Sequence, residues 1–297
     1  MAKIKHLLGA GVPYSATTPL WYTLQWDHKY CHTGHKKEPQ WLDVIQKQQE
    51  QKYNDKYDRG IRLMDRRKKF QKAPQFYLEH KKPWWIQRTQ FSREEEDYFF
   101  TLPTTLEKYI EYYKKHWESV KYEFQSVGDF SNSTCLLKKQ FMLDIRDQLL
   151  EVFDIKVILI FRDPVYRLWS YAKCNYDKIF CPNGKLNNWT QYGKMYTKHC
   201  EIWGKDNVFP LIMEKTWKDP SDLSDFLGYK IEKMHENCYY PERGTKCPKP
   251  QFLQDQWAGE HHDIDYPKLR KEFDYLYTDF EKTFGWNRPA ESIAKRR

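Results

Sequence analysis

The chain has 297 residues, a formal net charge of +9 and 17% aromatic residues. That length suits one large α/β domain or two small ones with a sizeable core, and no run approaches the roughly 18 apolar residues of a membrane helix. The charge is concentrated: Arg59 to Arg93 holds eleven Lys/Arg against Asp65 and Glu79, so the rest of the chain is neutral. Such a block implies either an anionic partner or a solvated face neutralised by the following Glu94-Glu95-Glu96-Asp97.

Ile4 to Leu8 is β-prone and runs into Gly9-Ala10-Gly11-Val12-Pro13-Tyr14-Ser15-Ala16-Thr17-Thr18-Pro19-Leu20. A strand, a glycine-bearing loop and a helix starting near Thr17 let free backbone N–H groups converge on an anion. Against the Walker A spacing, Gly11 fits the first glycine and Thr18 the final hydroxyl. Ala16 and Thr17 stand where the second glycine and the lysine belong. Without that lysine the loop argues against an ATP or GTP hydrolase. The apolar segment ahead of the loop is too short for a secretion signal, so a cytoplasmic location is expected.

Tyr30 to Thr33 is the next expected strand, and Pro39 ends any regular element near Glu38. Lys37 and Glu38 therefore fall at a strand-end turn, as a functional pair or as an ordinary solvent-exposed ion pair. No strand pattern stands out from Asp43 to Glu123; Gln46 to Gln51 is expected to be helical or loose. Within Thr105 to Trp117, Leu106, Tyr109, Ile110, Tyr113 and Trp117 recur at helical spacing and read as a core stripe. Phe124 to Val127 predicts a short strand ending in Gly128-Asp129-Phe130-Ser131, and a helix is expected over about 138–152.

The most informative stretch is Lys156 to Ala172, KVILIFRDPVYRLWSYA. Its unbroken Val/Ile/Leu run, cut off at Arg162-Asp163-Pro164, reads as a strand buried on both faces. Pro164 suits the first turn of a following helix, which would turn Val165, Leu168, Trp169 and Ala172 toward a core. Arg162 then lies at the carboxyl end of a buried strand, where open α/β sheets bind ligands. Ser170 follows eight residues later, and a guanidinium with a nearby hydroxyl suits a phosphate. The competing reading is a surface arginine paired with Asp163. Beyond it, a helix is expected over about 189–203, a strand over Val208 to Met213, a helix over Asp219 to Leu227 and an amphipathic helix over Pro267 to Phe284. The seven cysteines show no zinc-ligand spacing, so no structural metal is expected.

These residues together resemble the sulfotransferases that use 3′-phosphoadenosine 5′-phosphosulfate (PAPS), most of all the heparan sulfate branch. Gly11 to Leu20 resembles the family's 5′-phosphosulfate loop, and Arg162 to Ser170 resembles its 3′-phosphate site. His35 to Asp43 (HKKEPQWLD) is similar to the strand-end motif that carries the catalytic base. Gly128 to Ser131 is similar to a turn beside the acceptor. Cys238 and Cys247 have the spacing of a C-terminal disulfide of that branch, and Gly259, near His261 and His262, resembles a nucleotide-covering loop.

The resemblance implies one α/β domain over 1–297, with a central, mainly parallel sheet flanked by helices in a P-loop-like arrangement. It leaves a largely helical, basic insertion at about 46–123 without a role. By the same resemblance Glu38 is the base, with Lys37 beside it. Pro13, Tyr14, Ser15, Ala16, Thr17, Thr18, Arg162, Ser170 and Gly259 hold PAPS or its product PAP, with no metal. Gln40, Asp43, Asp129 and Ser131 touch the acceptor, a saccharide hydroxyl or amine. Nucleic acid is not an expected partner. Two departures stand out: Tyr14 and Phe130 occupy positions where the family carries cations. They keep open an impaired PAPS- or PAP-binding relative, just as Arg59 to Arg93 keeps open a basic polyanion binder.

Overall fold

Five short strands assemble into one sheet in the order β2-β3-β1-β4-β5, every neighbouring pair parallel. The structure, a computed structural model, describes residues 2–12, 15, 17–34, 39–53, 105–164, 167, 191–235, 271 and 275–285. The strands are β1 Ile4–Gly9, β2 Cys31–His32, β3 Ser126–Asp129, β4 Phe153–Phe161 and β5 Val208–Ile212. The helices are α1 Thr17–Tyr22, α2 Trp41–Tyr53, α3 Leu106–Val120, α4 Lys139–Val152, α5 Tyr192–Trp203, α6 Met213–Thr216, α7 Ser221–Leu227 and α8 Tyr275–Phe284. Among the described residues no helix is long and apolar enough to cross a membrane.

The sheet is covered on both faces, as parallel strands require. Alternation along β4 sorts its side chains between two cores. Phe153, Ile155, Val157, Leu159 and Phe161 join Leu8 and Val127 against α2, α3, α4, α5 and α8. Ile158 and Ile160 join Leu7, Phe130 and Leu211 against α1 and α7. At the start of the strand the second face opens to solvent, and Lys156 reaches along it to the Phe226 carbonyl, its ammonium over the Phe226 ring. The amphipathic stem of a lysine makes this compatible with an otherwise apolar strand.

The sequence expectations hold for most elements, with shifts at their ends. β3 begins at Ser126 rather than Phe124, because the Phe124 amide still bonds to Val120 O at the exit of α3. β4 extends back to Phe153, its nine residues covering all six of β1 in register. Met213 leaves β5 and opens a helical turn, closed by Trp217 N onto its carbonyl at 3.0 Å. The C-terminal part of the segment read as an insertion belongs to the core: Tyr109, Tyr112 and Tyr113 of α3 pack against Trp41, Leu42 and Ile45 of α2, just ahead of that segment. Residues 54–104, with the basic block, lie outside the described residues, as does the expected helix after Pro164 beyond its first turn.

The α3 stripe also encloses His6 of β1, whose Nε2 meets the Tyr109 hydroxyl at 3.0 Å beneath the Tyr113 ring. Burial pushes its pKa down to about 3, so this histidine is a neutral core residue.

Phe130 is fully buried, with its ring laid on the backbone of Gly9. A Cβ at position 9 would lie 2.3 Å from the ring. Gly9→Ala should therefore destabilise the protein by about 2 kcal/mol through overpacking. The loss should shrink markedly in a Phe130→Leu background, as a double-mutant cycle of unfolding midpoints would show. An equal loss in both backgrounds would mean that the contact does not govern this position.

Candidate functional site

β1 and β4 are adjacent, yet the chain leaves them in opposite directions: β1 leads to β2 at one edge, β4 to β5 at the other. Such a switch point opens a crevice at the carboxyl ends of the strands, where ligands of open α/β sheets bind. The loop after β1 and the turn after β4 both lie there. Val12 N donates to Ile160 O at 3.3 Å, which ties the loop directly to the end of β4.

The loop is tightly built. Gly11 N donates to Gly9 O at 3.0 Å, and Ser15 N closes a turn onto Val12 O at 3.2 Å. The backbone folds back on the helix start so closely that a Cβ at Gly11 would lie 2.1 Å from Thr17 Cγ2. Ser15 is fully buried, and among the described residues its hydroxyl has no hydrogen-bond partner. A buried hydroxyl in that state costs free energy until something pairs with it. Its amide is already spent on the turn, which leaves the hydroxyl as the Ser15 group able to serve a ligand. Thr17 opens α1, which passes without a break into a π-helical turn, Thr23–Asp27.

Arg162 follows β4 directly and is half-buried. The next residue, Asp163, is held from two sides. Its amide donates to Glu214 Oε1 at 3.0 Å, and its two carboxylate oxygens each receive the Tyr277 hydroxyl at 2.8 Å. Arg167, one turn on, is fully buried and donates its amide to Asp163 O at 2.9 Å. Glu214 stands just past β5. Burial is the main cause that raises its pKa from 4.5 to about 7, with the Asp163 charge adding and the Arg162 charge opposing. A raised carboxyl stabilises the fold fully below pH 4.5, and that contribution is lost as pH climbs through about 7.

A second cluster forms after β2 and β3. Asp129 is fully buried and accepts from Ser131 N at 2.9 Å and Ser131 Oγ at 2.5 Å. Ser131 Oγ in turn accepts from Gln40 N at 2.8 Å. Gln40 sits at φ 56°, a left-handed conformation that costs a non-glycine residue about 1–2 kcal/mol. Ser131 thus pins the chain where it leaves residue 38. The chain entering that stretch is pinned too: Gln25 Oε1 accepts from Thr33 N at 3.1 Å and from Trp21 Nε1 at 2.8 Å.

Of the residues singled out from sequence, Ser15, Thr17, Thr18 and Arg162 gather at the crevice, with Asp129, Ser131 and Gln40 linked by hydrogen bonds one strand over. Asp43 lies on the first turn of α2, paired with Lys47 four residues on. Phe130 does not line the crevice; it is core. Pro13, Tyr14, Ala16, His35, Lys37, Glu38, Ser170, Gly259, Cys238 and Cys247 lie outside the described residues. Arg167, Glu214, Tyr277 and Gln25 were given no site role in the sequence, and Asp163 only that of a partner for Arg162. Their only signal was a charged or polar type beside a strand end or within an apolar helix stripe.

No family model and no curated relative matches the sequence. Solved structures do. The chain is similar to the sulfotransferase domain of the Synechococcus PCC 7002 olefin synthase, at 20% identity over 96% of this chain and 95% of that one, with a TM-score of 0.52. It also matches a sulfotransferase from Alicyclobacillus acidocaldarius (13% identity, 100% of each chain, TM-score 0.48). A third match is the sulfotransferase domain of the curacin biosynthetic pathway (14%, 92% of this chain and 98% of that one, 0.47). At such identities a likeness carries the fold alone, and the first of the three carries it here: a five-stranded parallel α/β sheet of the sulfotransferase kind.

Proposed function

We propose that this protein is a sulfotransferase that takes a sulfuryl group from PAPS to a hydroxyl or amine of an acceptor. The observation that carries this reading is the meeting of the Gly11 loop and Arg162 at the β1/β4 switch point, joined by Val12 N and Ile160 O. The residues there fit the donor. Ser15 offers a buried hydroxyl with no hydrogen-bond partner among the described residues, on the side assigned to the 5′-phosphosulfate. Arg162 offers a guanidinium on the side assigned to the 3′-phosphate, with Ser170 as its expected partner. Thr17 and Thr18 would complete the cradle with amide and hydroxyl donors, Pro13, Tyr14 and Ala16 would shape it, and Gly259 would cover the nucleotide.

Bound PAPS would supply the activated sulfuryl group; the chain supplies position, a base and charge stabilisation. Glu38 takes the proton from the acceptor's nucleophile. The loop donors, with Lys37, hold the negative charge that builds on the departing phosphate oxygen. Gln40 and Asp43 border the acceptor, and Asp129 and Ser131, both buried, hold the Gln40 turn beside it. In-line positioning between two anchored phosphates does the rest, by analogy with phosphoryl transfer.

The acceptor we favour is a saccharide, from the resemblance to the heparan sulfate branch. That the similar domain is part of an olefin synthase favours a second reading, an acceptor hydroxyl on a non-saccharide chain. The test is transfer of labelled sulfate from PAPS to a panel holding sulfated and unsulfated glycans and hydroxylated aliphatic chains. Incorporation on glycans is the expected result. Incorporation only on the aliphatic members would shift the acceptor class. PAP binding without transfer to any member would mark a binding protein that has lost the reaction.

A further inference from the structure

Around the turn that carries Arg162 the fold gathers two guanidiniums and two carboxyls. Arg162 and Asp163 come from the end of β4, Arg167 from the turn after it, and Glu214 from the end of β5. Tyr277 of α8 and Tyr192 of α5 close the group. The Tyr277 hydroxyl sits on the Asp163 carboxylate, and Tyr192 feels Arg167, Glu214 and Asp163 together. On Glu214's own element Lys215 turns outward to pair with Asp222.

Two residues in this group are out of balance. Glu214 is half-buried as a residue, but its Oε2 is shielded from solvent and has no hydrogen-bond partner among the described residues. Arg167 is fully buried, and none of its three side-chain nitrogens has a hydrogen-bond partner there either. An arginine stays charged at any pH of interest, and Asp163, receiving the Tyr277 hydroxyl on both oxygens, is held as the anion. Glu214 is therefore the member whose protonation sets the charge of the group. Ionised, it sets a carboxylate against the Arg162 guanidinium and opposes a further anion there. Protonated, it no longer opposes one.

We infer that Glu214 is a positioning residue of the anion site: it fixes the Arg162 turn through the Asp163 amide and takes up one proton when a phosphate binds at Arg162. The inference rests on the reading of Arg162 as a phosphate anchor. The geometry separates its two duties, since Oε1 holds the amide in either protonation state and Oε2 is free to carry the proton. The carboxyl is already poised for this, because burial brings its titration to about pH 7 in the unliganded protein. A bound phosphate adds negative charge nearby and moves the titration higher, so binding and proton uptake favour each other.

The probe is PAP, titrated calorimetrically into the full chain between pH 7 and pH 9. Its phosphates are already fully ionised in this range, as a second phosphate pKa near 6 implies. The wild-type Kd should rise about fivefold across the range, the size expected when a group that titrates near pH 7 is displaced by one unit. Heats measured in buffers of different ionisation enthalpy should show proton uptake. Glu214→Gln keeps the Oε1 acceptor and cannot ionise. It should bind PAP at pH 9 about as tightly as wild type does at pH 7, with a flat profile and with proton uptake reduced accordingly.

A profile and proton count identical in wild type and Glu214→Gln would overturn the inference while leaving the donor reading intact. No PAP binding by wild type at any pH would overturn the donor reading itself, and this coupling with it. If Glu214→Gln does not fold, carboxyl carbon NMR of the wild type decides directly. A Glu214 titration that moves upward on adding PAP supports the proton uptake, and one that stays in place ends it.

Discussion

Arg162→Ala should weaken PAP binding by about 2–4 kcal/mol, roughly 30- to 1000-fold in Kd, while AMP binding hardly changes. The magnitude is that of losing a charge-assisted, bidentate contact to a phosphate in a partly desolvated crevice. The selectivity follows from where Arg162 sits, at the end of β4 and across the switch point from the Gly11 loop. A ligand that reaches both sides loses one anchor, and a ligand without the 3′-phosphate never used it. The competing reading, an arginine that serves only as the partner of Asp163, gives a different pattern. It would cost both ligands equally and lower the unfolding midpoint. Asp163 has its own supports in the Glu214 carboxylate and the Tyr277 hydroxyl, so the turn should keep its shape when Arg162 is truncated. Parallel calorimetry with the two nucleotides, with a melting curve for the variant, separates the two.

The fold was legible where a periodic signal was strong. The β4 run has no plausible alternative as a nine-residue strand once both its neighbours are parallel. The α3 stripe turned its tyrosines inward as the helical spacing requires. What the sequence hid were elements whose residues carry two roles. Trp41, Leu42 and Ile45 drew no core assignment, because Asp43 and the glutamine-rich run from Gln46 dilute the apolar pattern, yet all three belong to the core. Phe130 read as a lost cation, because a turn motif says nothing about which way a side chain points. Its ring packs on Gly9, a contact no local pattern encodes.

The candidate site divides the same way. Residues with a spacing signature, Gly11 to Thr18 and Arg162 with Ser170, could be found because one short segment carries each set. Residues that act by holding others could not. Glu214, Tyr277 and Gln25 reach their partners from 51, 114 and 8 positions away. Pairings set by tertiary packing leave no trace in a single sequence. A buried Arg167 is equally silent, since arginines in helices mostly face water.

Glu38→Gln should lower the rate of sulfuryl transfer by about 10²-fold or more with PAP affinity unchanged, because it keeps shape and removes the base. The described residues on either side of it are held in place. The chain reaches residue 34 with Thr33 locked to Gln25, and leaves at Pro39, which is buried, and Gln40, whose amide is held by Ser131. Single-turnover transfer in wild type and variant, with PAP binding measured alongside, is the check. A matched fall in rate and in affinity would mean that Glu38 holds the donor and is not the base. Full activity in Glu38→Gln would move the role elsewhere, and the structure narrows the choice. Asp129 is closed to solvent, and its Oδ1 accepts both the Ser131 amide and the Ser131 hydroxyl, which places it poorly to reach an acceptor. His35, inside the same anchored stretch, would then be the base, and His35→Ala should show the loss that Glu38→Gln did not.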